Sequence, residues 1–205
     1  MSSVRALALL AVAALAAGCG TAPPAPPSRL PEAAAWAAGP VRWLLLPEEI
    51  RELGQLRNVE AVAGFRDRFW ARRDPDPGTP GNAALESFLE RVAIADRLYG
   101  SPDRDGSLTP RGRALILLGP PSRLRVAPPP LPLRPRPGRP AAEAGHREAW
   151  GWVASDLAPA LRGVLPPPGA DGEWRLVFEL AAGRERLIEG EALLAAAARG
   201  WLRQP

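Results

Sequence analysis

The sequence predicts an α+β fold: N-terminal helices packed on a small antiparallel sheet of about three strands, with a C-terminal helix. Three observations carry this. Between residues 47 and 100, apolar residues recur at helical spacing between recognisable caps. Between 113 and 180 they gather into short runs bounded by Gly and Pro, a strand signature. Helices and strands fall in separate blocks, with no βαβ alternation and no internal repeat, which is the pattern of segregated layers.

The elements follow in order. "WLLLPEEIREL" places Pro47 at a first helical position and Glu48 and Glu49 in the first turn, where the macrodipole favours acids. "NVEAVAGFRDRFWARR" offers Asn58 as N-cap, puts Val62, Phe65, Arg66 and Phe69 on one face, and sets Arg72 and Arg73 in the last turn. The stretch "FWARRDPDPGTPGN" (69–82) then stops the helix. Each proline pushes the residue before it (Asp74, Asp76, Thr79) toward extended backbone. Asp76-Pro77-Gly78-Thr79 suits a type II turn, with Thr79 as the next N-cap, Pro80 at the first helical position and Asn82 as a competing cap. A third helix aligns Leu85, Phe88, Leu89, Val92 and Tyr99 as a core stripe and ends at Gly100.

"RALILLGPP", between Gly112 and Gly119-Pro120-Pro121, suits a buried strand. "REAWGWV" (147–153) and "EWRLVFEL" (173–180) are two more, the last alternating apolar and polar residues. A proline-rich loop at 127–145 separates the first two and cannot enter a sheet. "EGEALLAAAARGWL" closes the chain as a helix of high intrinsic propensity.

Ahead of this domain, residues 1–18 combine Arg5 with an apolar run from Ala6 to Ala17, too short to span a bilayer and the length of a secretory signal core. Leu15-Ala16-Ala17-Gly18-Cys19 resembles a bacterial lipobox, which implies cleavage before Cys19 and lipid attachment there. Gly20, where an Asp would favour inner-membrane retention, favours the outer membrane. Residues 19–40, rich in Pro and Ala, read as a tether, and 41–205 as one domain. The single cysteine excludes an intramolecular disulfide and a thiolate cluster.

The chain has 26 basic residues, all arginine, a net charge of +4 and a pI near 10.7. Acidic residues are interspersed among them and no nucleic-acid motif is present, so nucleic acid is not an expected partner. His146 is the sole histidine, which excludes His-based metal clusters and Cys–His nucleophiles. No G-x-S-x-G elbow is present. Asp103 to Ser107 lacks the acidic twelfth residue of a calcium loop, Ala114 standing there. Gly119-Pro120-Pro121 lacks the amide donors and lysine of a phosphate loop. No metal or cofactor is expected. The Arg72, Arg73, Asp74, Asp76 cluster reads as a solvated ion-pair set beside the core aromatic Trp70. Its functional alternative is anion capture by the arginines, or metal or acid/base work by the aspartates.

"FWARRDPDPGTPGN", the helix with Tyr99 after it, "RGRALILLGPP" and "EAWGW" together resemble the GWxTD-domain family of bacterial envelope proteins. The resemblance covers about 41–126 well and 147–180 more loosely. It marks Trp70, Arg72, Arg73, Asp74, Asp76, Gly119 and Pro120 as motif or interaction residues. The naming motif falls at Gly106-Ser107-Leu108-Thr109-Pro110, where Gly106 and Thr109 match while Ser107 and Pro110 depart from it. The resemblance implies fold and envelope location rather than an activity. The expectation is a lipid-anchored, periplasm-facing binding or scaffolding module with an envelope protein partner and no catalysis. The alternative is a peptidoglycan-binding protein or glycan hydrolase using two carboxylates, such as Asp74 and Glu148.

Overall fold

The computed structural model describes residues 30–128, 145–181 and 183–203. The fold is α+β, as expected. Among these residues seven α-helices are present: α1 (Pro31–Ala38), α2 (Pro47–Gln55), α3 (Val59–Ala71), α4 (Ala83–Tyr99), α5 (Pro110–Leu118), α6 (Pro159–Arg162) and α7 (Glu191–Gly200). The antiparallel sheet has four strands rather than three, in sequence order: β1 (Arg123–Ala127), β2 (His146–Trp152), β3 (Trp174–Ala181) and β4 (Arg184–Glu189). Cys19, the expected leader, the expected tether up to residue 29 and the proline-rich stretch 129–144 lie outside the described residues.

The folded part starts earlier than the expected boundary at 41. Pro31 at a first helical position and Glu32 in the first turn open α1 within the presumed tether. The helix buries Ala33 and sets Trp36 edge-on to Phe65 and Phe69, at centroid distances of 5.9 and 5.2 Å. Helices α2, α3 and α4 stand where the caps put them. Asn58 Oδ1 accepts from the Ala61 amide at 2.8 Å, and Asn82 Oδ1 from the Leu85 amide at 3.0 Å. Asn82, not Thr79, therefore caps α4. The Asp76–Thr79 turn closes through the Thr79 amide and the Asp76 carbonyl at 3.1 Å. Gly78 is not among the glycines of positive φ, so the turn is not type II. The buried line of α4 is Ala84, Phe88 and Ala95, and Leu89 is exposed.

The run expected as a first strand is α5. Thr109 Oγ1 accepts from the Gly112 amide at 3.0 Å, and Pro110 sits at the first helical position. Ala114 to Leu118 are all buried. A helix apolar all round has no 3.6-residue stripe, so its periodicity does not separate it from a buried strand. Its place at the centre of the core, between α4, α7 and the sheet, explains that composition.

The sheet covers the other side of α5. Trp150 and Trp152 of β2, with Trp174, Leu176 and Phe178 of β3, point inward and are buried. β4 joins β3 through a tight turn holding Gly183 at φ +71°. The opposite face carries Arg125, Arg147, Ala149, Arg175 and Val177, over which no described element packs.

Candidate functional site

The arginine–aspartate corner is two unrelated devices. Arg73 is fully buried and bonds a carboxylate 24 positions back in sequence, not its aspartate neighbours. Its Nη1 and Nη2 donate to Glu49 Oε1 and Oε2 at 2.9 and 2.8 Å. The same two nitrogens donate to the Phe69 and Leu44 carbonyls at 3.0 and 2.9 Å, and the guanidinium lies 3.6 Å over the Phe69 ring. Glu49 also accepts from the Leu46 amide at 3.0 Å and from Arg72 Nη2 at 2.9 Å. Burial pushes the Glu49 carboxyl up, but the Arg73 bonds and the Leu46 amide outweigh it and hold the group below the usual glutamate range. The expectation of a solvated ion-pair set is thus corrected: this is an internal clamp of α2 on α3.

The two aspartates serve the turn. Asp74 Oδ1 accepts from the Asp76 amide at 3.1 Å and Asp76 Oδ1 from the Gly78 amide at 3.2 Å. Trp70 bridges Phe69 and Phe88, and its carbonyl accepts from Asn82 at 2.8 Å. Among the described residues, Asp74 and Glu148 share no partner.

Gly119 and Pro120 end α5, and the problem they create is visible. Pro120 and Pro121 bring no amide to the last carbonyls of a buried helix. Side chains from distant elements supply the donors. Arg91 Nη1 donates to the Ile116 carbonyl at 2.9 Å, Trp201 Nε1 to that of Leu117 at 3.2 Å, and Trp152 Nε1 to that of Gly119 at 3.3 Å. The matching residues of the Gly106–Pro110 stretch are structural as well. A Cβ on Gly106 would overlap the Ala95 carbonyl oxygen, and Thr109 Oγ1 donates to the Gly106 carbonyl at 2.7 Å while capping α5.

Two surface features remain. The first is a groove of about 360 Å³ between the α4–α5 connection, the start of β2 and the β3–β4 turn. In its wall Arg111 joins Glu185 (Nε to Oε2, 2.7 Å) to Glu148 (Nη1 to Oε1, 3.3 Å) and lies 4.7 Å over the Tyr99 ring. Glu148 also accepts from Trp150 Nε1 at 3.0 Å and pairs with His146 at 3.2 Å. Burial, with Glu148 and Glu185 nearby, pushes the Tyr99 hydroxyl up although Arg111 pulls the other way. Arg111, Glu148 and Glu185 are thus matched to one another, while Arg104, also in the wall, donates to the Leu108 carbonyl.

The second is the outer face of the sheet with its edge strand β1. All five residues of β1 are exposed. Register places Arg123 and Arg125 on the outer face, beside Gly151 and Ala149, and Leu124 and Val126 on the other side. Leu124 is 58% and Val126 63% exposed, because the helical layer does not reach under the edge. Glu173, whose side chain is buried, bonds Arg123, Arg125 (3.0 Å) and Arg175 (3.2 Å) and is held down to about 2 by the Arg125 and Arg123 bonds. On this part of the face four arginines (123, 125, 147, 175) stand against Asp171, Glu173 and a Glu179 shared with Arg186. Sequence reading missed both features. Arg111, Glu185 and Glu173 gain their roles only through long-range pairing, although the alternation in "RLRVA" and "RERLIE" was a usable strand signal.

Comparison with family models, with curated proteins and with solved structures gave no match.

Proposed function

We propose that the chain is a non-catalytic binding module, lipid-anchored through Cys19 on the periplasmic side of the outer membrane, that scaffolds an envelope assembly as a divergent GWxTD-domain protein. The observation that carries the binding reading is β1. A strand exposed on both faces carries half-exposed arginines on one and, on the other, Leu124 and Val126, which no described residue covers. The carboxylates that a catalyst would need are engaged instead: Glu49 by Arg73, and Glu148 and Glu185 by Arg111. The lipobox-like Leu15–Cys19 stretch supports the anchor.

The test is affinity capture from detergent-solubilised envelopes with the full chain and its Cys19→Ser form, with fatty-acid labelling of both. The expected result is label on the first alone and one protein partner retained by both. A purified chain that degrades peptidoglycan, and loses that ability in Glu148→Gln, would overturn the non-catalytic reading. The groove lined by Glu185, Tyr99 and His146, with Glu148 bonded to its Arg111 and His146, is the place from which a carboxylate-dependent glycan hydrolase would work.

A further inference from the structure

β1 ends the sheet: it pairs with β2 on one side, and no described strand pairs with its other side. Such an edge offers backbone donors and acceptors to any extended chain, and natural proteins blunt it with bulges, prolines, charge or a covering element. β1 has no proline, its pairing with β2 runs without a bulge from Arg123 to Ala127, and no described residue covers it. It does carry arginines, and their placement decides which chain it accepts.

We infer that β1 is a docking edge for an acidic extended peptide segment of a partner protein, which joins the sheet as a fifth strand. The inference rests on the binding-module reading and adds the partner's chemistry. A second copy of the chain is disfavoured by charge in the registers that pair most of the strand. A symmetric antiparallel copy centred on Leu124 sets Arg123 against Arg125 twice, and one centred on Arg125 sets the two Arg125 side chains together. The chain's own proline-rich stretch is disfavoured as well. Proline has no N–H for a ladder, and Arg134, Arg136 and Arg139 would repel the same face.

An acidic strand removes both difficulties. Its carboxylates, at alternate positions, meet Arg123 and Arg125, which now crowd a single Glu173. Its apolar residues, on the opposite side, cover Leu124 and Val126. Main-chain bonds then supply affinity and the alternation supplies selectivity.

The test uses the purified full-length chain in detergent micelles and three seven-residue peptides. One alternates Glu with Val, one is the same peptide N-methylated at alternate amides, and one alternates Arg with Val. The first is expected to bind and to slow amide hydrogen exchange within residues 123–127, and the other two are not. Arg125→Glu is expected to weaken binding about tenfold or more. Because Arg125 also supports Glu173, Val126→Glu is the second variant. Val126 is exposed, so this change leaves thermal unfolding in place and weakens the acidic peptide to a similar degree. Equal binding of the N-methylated peptide, protection away from β1, or no binding of the acidic peptide would each overturn the inference. If peptide binding fails while Arg125→Glu still captures the wild-type envelope partner, the edge inference falls and the binding reading stands. If the wild-type chain captures no partner either, both fall.

Discussion

At the α2–α3 corner, Glu49 is buried between Arg73 and Arg72; on the sheet, Glu173 is equally covered and lies among Arg123, Arg125 and Arg175. The residue types are the same and the surroundings differ. Arg73 is sealed by Phe69 and two backbone carbonyls, so neither its charge nor that of Glu49 has any partner but the fold. Arg123, Arg125 and Arg175 keep about half of their side chains in water, and the three cations meet two carboxylates, Glu173 and Asp171. The corner spends its charge on holding two helices together. The sheet keeps an excess that an incoming anion can use.

The largest break in this comparison is at the corner. Glu49→Ala leaves the buried Arg73 guanidinium without its counterion and is expected to cost about 3–5 kcal/mol in denaturant unfolding. Replacing both partners with apolar residues, Glu49→Met with Arg73→Leu, is expected to recover most of that loss. Glu173→Gln, whose arginines can turn to water, should shift the midpoint by less than Glu49→Ala. A Glu173→Gln loss as large as that of Glu49→Ala would erase the distinction between clamp and open face.

A smaller loss is expected at the exit of α5. Trp201→Phe keeps an aromatic ring but removes the donor to the buried Leu117 carbonyl together with part of a fully buried side chain, at a cost of about 1–3 kcal/mol for the orphaned carbonyl plus that of the space left. Thermal unfolding of Trp201→Phe beside an exposed Leu89→Ala control checks it, since Leu89 lies outside the buried face of α4. Equal melting of the two would show that the carbonyl finds water.

Acid separates the two clusters further. Both carboxyls sit below their unfolded value of 4.5, so each contributes stability that is present above that pH and lost as pH falls through its folded value. For Glu173 that window runs from 4.5 down to about 2. For Glu49 it opens at the same point and closes below the usual glutamate range. Unfolding followed from pH 6 to about 2 should therefore show a decline that flattens in part in Glu49→Gln and, separately, in Glu173→Gln. An acid limb unchanged in Glu49→Gln would mean that the corner's charges are not linked to folding.

Much of the fold was legible because its signals are local. Asn58, Asn82 and Pro47 mark helix starts through bonds or φ restraints within three residues. α5 was not legible by period, because a helix buried on every side has none; its cue was Thr109-Pro110. α1 was hidden in an Ala-rich stretch whose burial depends on Trp36 meeting α3. β1 and β4 are short and exposed or half-buried, so no apolar run announces them. The roles of the charged residues were least legible. Arg73 has Asp74 beside it in sequence and Glu49 beside it in space, and only chain folding chooses between them.

The smallest expected effect sharpens the account of the Asp76–Thr79 turn. A type II turn needs positive φ at its third residue, so any side chain at Gly78 would be strained. The observed turn has no such need, and a Cβ there would meet only Asp76 Oδ1, at an ordinary 3.4 Å. Gly78→Ala should then be neutral or stabilising by up to about 1 kcal/mol, because alanine narrows the unfolded ensemble without straining the native one. Asp76→Asn should be close to neutral too, since the amide oxygen can still accept from the Gly78 N–H. Gly106→Ala is the control from the same class of change. Its Cβ has no room against Ala95, and the loss there should exceed any change at Gly78. A clear drop in melting temperature for Gly78→Ala would show that the turn visits the left-handed region after all.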